Sequence, residues 1–197
     1  DMLIYGMGEK PLTEMVQLLL KGVPFHSIKN INQTAFIANN IVDSGNNDWQ
    51  DFQLYGHQEC IADKIKYAKN FKVIEQESNM YQSNKRLIQE VDNQHIIVNP
   101  PYEILSEKEI DEIYDLPFTR LPHPKYAKKE PIPAYEMIRH SITLHRGCFG
   151  ACSFCTISAH QGKFISSRSE KSITKEIEAV SSMPDFKGYI SDLGGPS

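Results

Sequence analysis

The chain has 197 residues, 40% hydrophobic and 23% charged, with a formal net charge of -4. That length suits one ordinary globular domain or two small ones, and the mild acidity speaks against the basic faces of nucleic-acid binders or of proteins that adhere to anionic membranes. Apolar runs such as VQLLL (16–20) are far too short to span a bilayer, and DMLIYGMGEK has neither the basic segment nor the apolar core of a secretion signal. A reducing, cytoplasmic setting is therefore expected, in which clustered cysteines more often mean metal or redox chemistry than disulfides.

MLIYG (2–6) reads as a buried β-strand already under way. A turn at Gly6 and Gly8 leads to a helical apolar pattern over 11–21, closed by Gly22 with Pro24 behind it. TAFIAN (34–39) is a second strand, and this strand–helix–strand rhythm predicts an α/β layer with parallel pairing. YGMGE has only two glycines and an acid where an anion would sit, so it reads as a tight turn rather than a phosphate loop. Residues 56–76 predict one long helix with Ile61, Ile65, Ala68 and Phe71 on one stripe; Cys60 on that helix reads as buried or idle.

KRLIQEVDNQHIIVNPP (85–101) predicts a hairpin turning at Asp92-Asn93. SEKEIDEIYDLP (106–117) predicts a short helix with Ser106 as N-cap and Glu109 completing a capping box. Five prolines fall within 116–136, a density that no helix interior or central strand accommodates, so this stretch reads as a linker between 1–115 and 137–197. Beyond it, 137–147 reads as a strand, 152–160 holds a short helix, 169–183 a longer one, and GYISDLGG (188–195) another buried strand. A strand ending Gly-Gly-Pro would ordinarily lead into a further helix, so the expectation is an internal fragment of a longer protein.

From the end of the 137–147 strand through the 152–160 helix runs HRGCFGACSFCTISAHQGK, with Cys148, Cys152 and Cys155 at spacing C-x3-C-x2-C. Thiolates hold iron–sulfur clusters, and three of them on a cubane leave one iron open for chemistry. Zinc remains an alternative if His145 or His160 completes a Cys3His set; CSFC also fits a thiol-redox pair, and inert buried cysteine is a fourth reading. Gly147 and Gly150 favour the first by letting the backbone wrap an inorganic ligand, as does a loop placed at the carboxyl end of a strand. Otherwise His145 and His160 read as packing or surface histidines. Arg146 and, more so, Arg168 are candidates to meet a carboxylate or the cluster's charge.

CFGACSFC has the C-x3-C-x-aromatic-C form of the radical S-adenosylmethionine (SAM) superfamily, with Phe154 at the aromatic position. The longer run HRGCFGACSFCTISAHQGKFISSRS, with GYISDLGGPS behind it, resembles the YgiQ family of that superfamily, whose members are largely uncharacterised. The resemblance is close over 137–197, and LIYGMGEKP extends it to the earlier residues. It implies an α/β fold in which 1–115 is the C-terminal part of an α/β N-terminal domain. Residues 137–197 would then be the first β-α-β part of a radical SAM (TIM-like) barrel.

It also implies that Cys148, Cys152 and Cys155 bind a [4Fe-4S] cluster and that SAM chelates the fourth iron. The reduced cluster would split SAM to methionine and a 5'-deoxyadenosyl radical, which removes a hydrogen atom from a substrate. Phe154 matches the position near the adenine. Gly194, Gly195 and Pro196 match the Gly-Gly-Glu-x-Pro region that meets the methionine end of SAM. The acid of that region is missing, since the sequence reads Gly-Gly-Pro-Ser. The implied partners are SAM, an electron donor and a substrate that the sequence does not name; no membrane is expected, and nucleic acid is not indicated. The competing classes are a zinc-binding or scaffold module and a thiol oxidoreductase.

Overall fold

The computed structural model describes residues 2–43, 45 and 48–196. In chain order its first elements are β1 (Met2–Ile4), α1 (Glu9–Leu20), β2 (Thr34–Ala38), β3 (Gln50–Gln53), α2 (His57–Ala62), α3 (Lys64–Ser78), β4 (Lys85–Val91) and β5 (Gln94–Val98). There follow α4 (Glu107–Tyr114), α5 (Pro133–Ile138), β6 (Ser141–Thr143), β7 (His145–Arg146), α6 (Ile157–Gln161), β8 (Ser166–Ser167), α7 (Glu170–Ser181) and β9 (Asp192–Gly194). The chain divides into two compact units, Asp1–Glu103 with Phe154–Lys163, and Ile104–Ser153 with Phe164–Ser197. Both mix helix and strand, as the α/β class requires.

The first unit is a five-stranded sheet in the order β1-β2-β5-β4-β3. Phe36, Ile97 and Ile88 lie in register across three strands and form one buried cluster. A second cluster places Met15 of α1 against Ile28 and Ile31. Burying each such side chain is worth about 1.5–3 kcal/mol. β1 and β2 pair antiparallel, which corrects the parallel expectation. The reason lies in 21–33: after α1 the chain turns at Gly22, makes a short 3-10 turn at Phe25–Ser27, and buries Ile28 and Ile31 against α1. That return path delivers β2 from the opposite end. β1 is also an edge strand with Leu3 exposed, not a buried one.

The parallel βαβ unit lies elsewhere, as β3, α2–α3 and β4. β3 escaped the sequence reading because all four of its residues are exposed and show no alternation. A side-chain clasp holds it: buried Arg86 of β4 donates through Nε and Nη2 to the two oxygens of Asp51, at 2.7 and 2.8 Å. The helix expected over 56–76 is broken at Asp63, whose extended backbone interrupts it and whose carboxylate accepts from the Ile65 amide at 2.8 Å to cap α3. The stripe is corrected too. Ile61, Ile65, Ala68 and Phe71 are exposed, while Cys60 and Asn70 face inward. Asn70 fixes that orientation by accepting from the Tyr55 amide and donating to its carbonyl, both at 2.9 Å. The hairpin is as read: Asp92 and Asn93 both have positive φ, 48° and 64°, as a two-residue turn demands.

In the second unit β6 and β9 pair in parallel with α7 between them in sequence, a further βαβ arrangement. β7 and β8 pair antiparallel. Ile142, Ile110 and Val180 are buried there. The capping box at Ser106 and Glu109 forms. Residues 137–147 are not one strand: Met137 and Ile138 end α5, and Leu144 separates β6 from β7. The last strand is shorter than 188–195 and exposed, because its two-stranded sheet leaves Leu193 uncovered. The Pro-rich stretch 116–136 belongs to this unit, and α5 begins at Pro133, where the missing amide costs nothing. No helix among the described residues is long and apolar enough to cross a membrane.

Candidate functional site

The parallel pair organises the site. Thr143 stands opposite Gly194, and the Leu144 amide donates to the Gly194 carbonyl at 2.8 Å. The cysteine loop, which starts at Gly147, and the segment 194–196 therefore leave the same carboxyl end of the pair. Gly147 adopts a φ of 89°, and a Cβ there would lie 1.9 Å from the Phe164 carbonyl oxygen. Only glycine fits.

Cys148 is buried, with the Gly150 amide donating to its sulfur at 3.4 Å. A Cβ on Gly150 would stand 3.4 Å from the Cys148 sulfur and 3.6 Å from that of Cys152, so both thiols flank the same point. Cys152 is exposed, and its thiol faces the Gly150 carbonyl at 3.8 Å. Cys155 is half-buried and Phe154 is 89% exposed; both belong to the segment 154–163, which is counted with the first unit. All four cysteines are free. Among the described residues no three or more His, Cys, Asp or Glu side chains are gathered as a metal site. The donor set nonetheless suits an iron–sulfur cluster, since it offers soft thiols and a side-chain-free position between two of them.

In the segment 194–196, Gly194 and Pro196 are half-buried and Gly195 is exposed. The His145 ring lies on the side where Gly195 would carry a Cβ, with ring atoms 2.7–2.9 Å from that position. His145 Nε2 stands 2.6 Å from the Pro196 carbonyl oxygen. A carbonyl only accepts, so Nε2 bears the proton in this contact.

Arg168 is buried, and each of its guanidinium nitrogens already donates within the protein. Nε and Nη2 bond Ser172, Nη1 bonds the Thr143 carbonyl at 2.8 Å, and Nη1 also pairs with Glu176. The group lies 4.0 Å above the Tyr114 ring, with Arg146 on the same ring at 5.1 Å. Arg120 pairs with the same buried Glu176. Burial lowers the proton affinity of both Arg168 and Arg120. Burial works to raise the Asp111 carboxyl, but bonds from the Ser169 hydroxyl and amide and from Ser172, with Arg168 nearby, hold it below the ordinary aspartate range.

Glu176, Tyr114 and Asp111 were not among the residues singled out in the sequence. One signal was present: Arg168, Ser172 and Glu176 are spaced four apart and share a side of the α7 region. Cys60 is buried, accepts from Asn70 at 3.1 Å and faces the Tyr55 carbonyl at 3.6 Å, so it is occupied locally. His160 is exposed on α6.

A family model described as radical SAM N-terminal matches residues 1–141. A UPF0313 protein of Bacteroides thetaiotaomicron is 53% identical over 212 residues, covering all of this chain and 33% of its own length. A UPF0313 protein of Porphyromonas gingivalis is 53% identical over 200 residues, covering all of this chain and 31% of its own. One from Geobacter sulfurreducens is 42% identical over 197 residues, again covering all of this chain and 32% of its own. The chain thus spans about a third of the length of these curated relatives. No solved structure matches it.

Proposed function

This chain belongs to the radical SAM N-terminal family, and from that premise we propose that the protein is a radical SAM enzyme. In this reading Cys148, Cys152 and Cys155 hold a [4Fe-4S] cluster, and Gly194, Gly195, Pro196 and Phe154 serve SAM. The observation that carries it is the shared exit of the cysteine loop and the 194–196 segment from one carboxyl end of β6 and β9, the end at which α/β folds place their chemistry. The unit β6–α7–β9 then stands as the first βαβ part of a TIM-like barrel.

When bound and reduced, such a cluster supplies the single electron that splits SAM into methionine and a 5'-deoxyadenosyl radical. The chain's own residues bind and orient. Cys148 and Cys152, whose sulfurs flank the Gly150 position, would hold the cluster as thiolates with Cys155, and Gly147 fixes the loop's departure from β7. The exposed ring of Phe154 offers an apolar face to a nucleobase. Arg168, with its donors taken, acts by holding the Thr143 carbonyl at the end of β6 rather than by reaching SAM. The acid absent from Gly194-Gly195-Pro196 leaves only backbone contacts there. An external one-electron donor and a substrate complete the reaction, and a reducing, cytoplasmic compartment keeps the thiols available. A Cys3His zinc site stands second because it needs His145 or His160 as a fourth ligand, whereas a cubane takes the three thiols alone and leaves one iron open.

Anaerobic reconstitution of the full-length protein with iron and sulfide is expected to give a brown protein with about four irons per chain. Cys148→Ala, Cys152→Ala and Cys155→Ala should each abolish it, and Cys60→Ala should not. The reduced protein should convert SAM to methionine and 5'-deoxyadenosine, read by chromatography. A four-iron protein that releases no deoxyadenosine under strong reductant would sink the enzyme reading. A colourless protein with one tightly held zinc would establish the alternative.

A further inference from the structure

Gly195 has no positive φ, so its φ does not by itself call for glycine. What demands glycine there is His145. The ring atoms Cε1, Nδ1 and Nε2 stand 2.7, 2.8 and 2.9 Å from the position a Cβ would occupy, closer than real Cβ contacts come. The same ring donates from Nε2 to the Pro196 carbonyl at 2.6 Å, across 51 positions of sequence.

These contacts continue the pairing of the two strands by other means. The ladder between β6 and β9 ends at Thr143 and Gly194, and the Leu144 amide adds one bond to the Gly194 carbonyl. Beyond that point no ladder remains among the described residues. His145 takes over with a side chain. It is also separated from Cys148 only by Arg146 and Gly147, and Gly147 is locked against Phe164. Displacing the ring would therefore free the 194–196 segment without moving the first thiol.

We propose that His145 is a positioning residue: its ring on Gly195 and its hydrogen bond to Pro196 hold the 194–196 segment in place against the cysteine loop, and residue 195 is glycine to admit that ring. The inference rests on the reading that this segment serves SAM. It assigns the glycine requirement at 195 to a neighbour inside the protein rather than to the cofactor.

The test uses the full-length protein, reconstituted anaerobically, with SAM binding measured by equilibrium dialysis and iron assayed in parallel. His145→Ala should keep about four irons per chain and bind SAM roughly tenfold more weakly, the consequence of one lost hydrogen bond and the packing beside it. His145→Gln, whose amide can donate to the same carbonyl, should recover most of that loss. Gly195→Ala should weaken binding as His145→Ala does, and adding it to His145→Ala should cost nothing further, because the clash has gone.

Unchanged SAM affinity in His145→Ala would overturn the proposal, as would losses that multiply in the double variant. Loss of iron in both His145→Ala and His145→Gln would overturn it as well, since the ring would then be supporting the thiols and not the segment. If the wild-type protein with its four irons bound no SAM, the cofactor reading itself would fall and the inference with it, a result that involves no variant and is thus distinguishable.

Discussion

Gly147 and Gly162 share almost the same backbone angle, φ of 89° and 90°, yet answer to different constraints. A Cβ at Gly162 would meet nothing within 4 Å, whereas one at Gly147 would lie 1.9 Å from the Phe164 carbonyl oxygen. With ψ at 167°, Gly162 lies in the extended positive-φ region that is essentially reserved for glycine, so Gly162→Ala bears only a backbone penalty, about 1–3 kcal/mol. Gly147→Ala bears that and must also displace a backbone atom, so it should lose more than about 3 kcal/mol. Urea unfolding of both variants checks this, and equal losses would refute the steric argument. The motif pointed to Gly147 and Gly150 together as a cradle for an inorganic ligand. Only Gly150 stands between thiols, because the direction of a missing Cβ depends on packing that spacing does not encode.

The start of α7 shows how elements are tied. Ser169 caps it by accepting from the Ser172 amide at 3.1 Å, while its own hydroxyl and amide donate to Asp111 of α4, at 2.5 and 3.0 Å. The Asp111 carboxyl is held below its ordinary range, so the folded state favours the ionised form. A depressed carboxyl contributes its full stability above the ordinary aspartate range and loses it as pH falls through the lower, folded value. As the pH falls through and below the ordinary aspartate range, about 3.9, the wild-type protein should lose a contribution that Asp111→Asn lacks throughout. The difference in urea midpoint between the two should therefore shrink toward acid, and a constant difference would show that charge plays no part. The start of α7 was legible, since the helical pattern over 169–183 and Glu170 in its first turn are local, although Ser169 was not read as its cap. The break at Asp63 was not, because an extended residue inside an apolar pattern leaves no mark on the periodicity.

Across the whole molecule the compact units divide between Glu103 and Ile104, and 116–136 lies inside the second. Residues 121–130 are exposed apart from Tyr126, and their backbone makes only local turns. Brief trypsin treatment is expected to cut first at Lys125, Lys128 or Lys129. The lysines of α3 should follow later, because helical backbone must unfold locally before it enters a protease. Mass spectrometry of the earliest fragments decides the order. First cuts within α3 would mean that the Pro-rich stretch is no linker.

Consecutive residues carried the α/β class, the hairpin at Asp92-Asn93, the capping box at Ser106, and the three-thiol motif with its radical SAM resemblance. Each of these rests on backbone preference or donor chemistry within a few positions. Tertiary structure alone decided strand direction between β1 and β2, the existence of β3, the inward face of α3 and the His145 contact with Gly195 and Pro196. Those depend on where a returning chain meets its partners, as when the burial of Ile28 and Ile31 against α1 reverses the approach of β2. A contact made across 51 positions has no local pattern to read, because its energy exists only once both strands are paired.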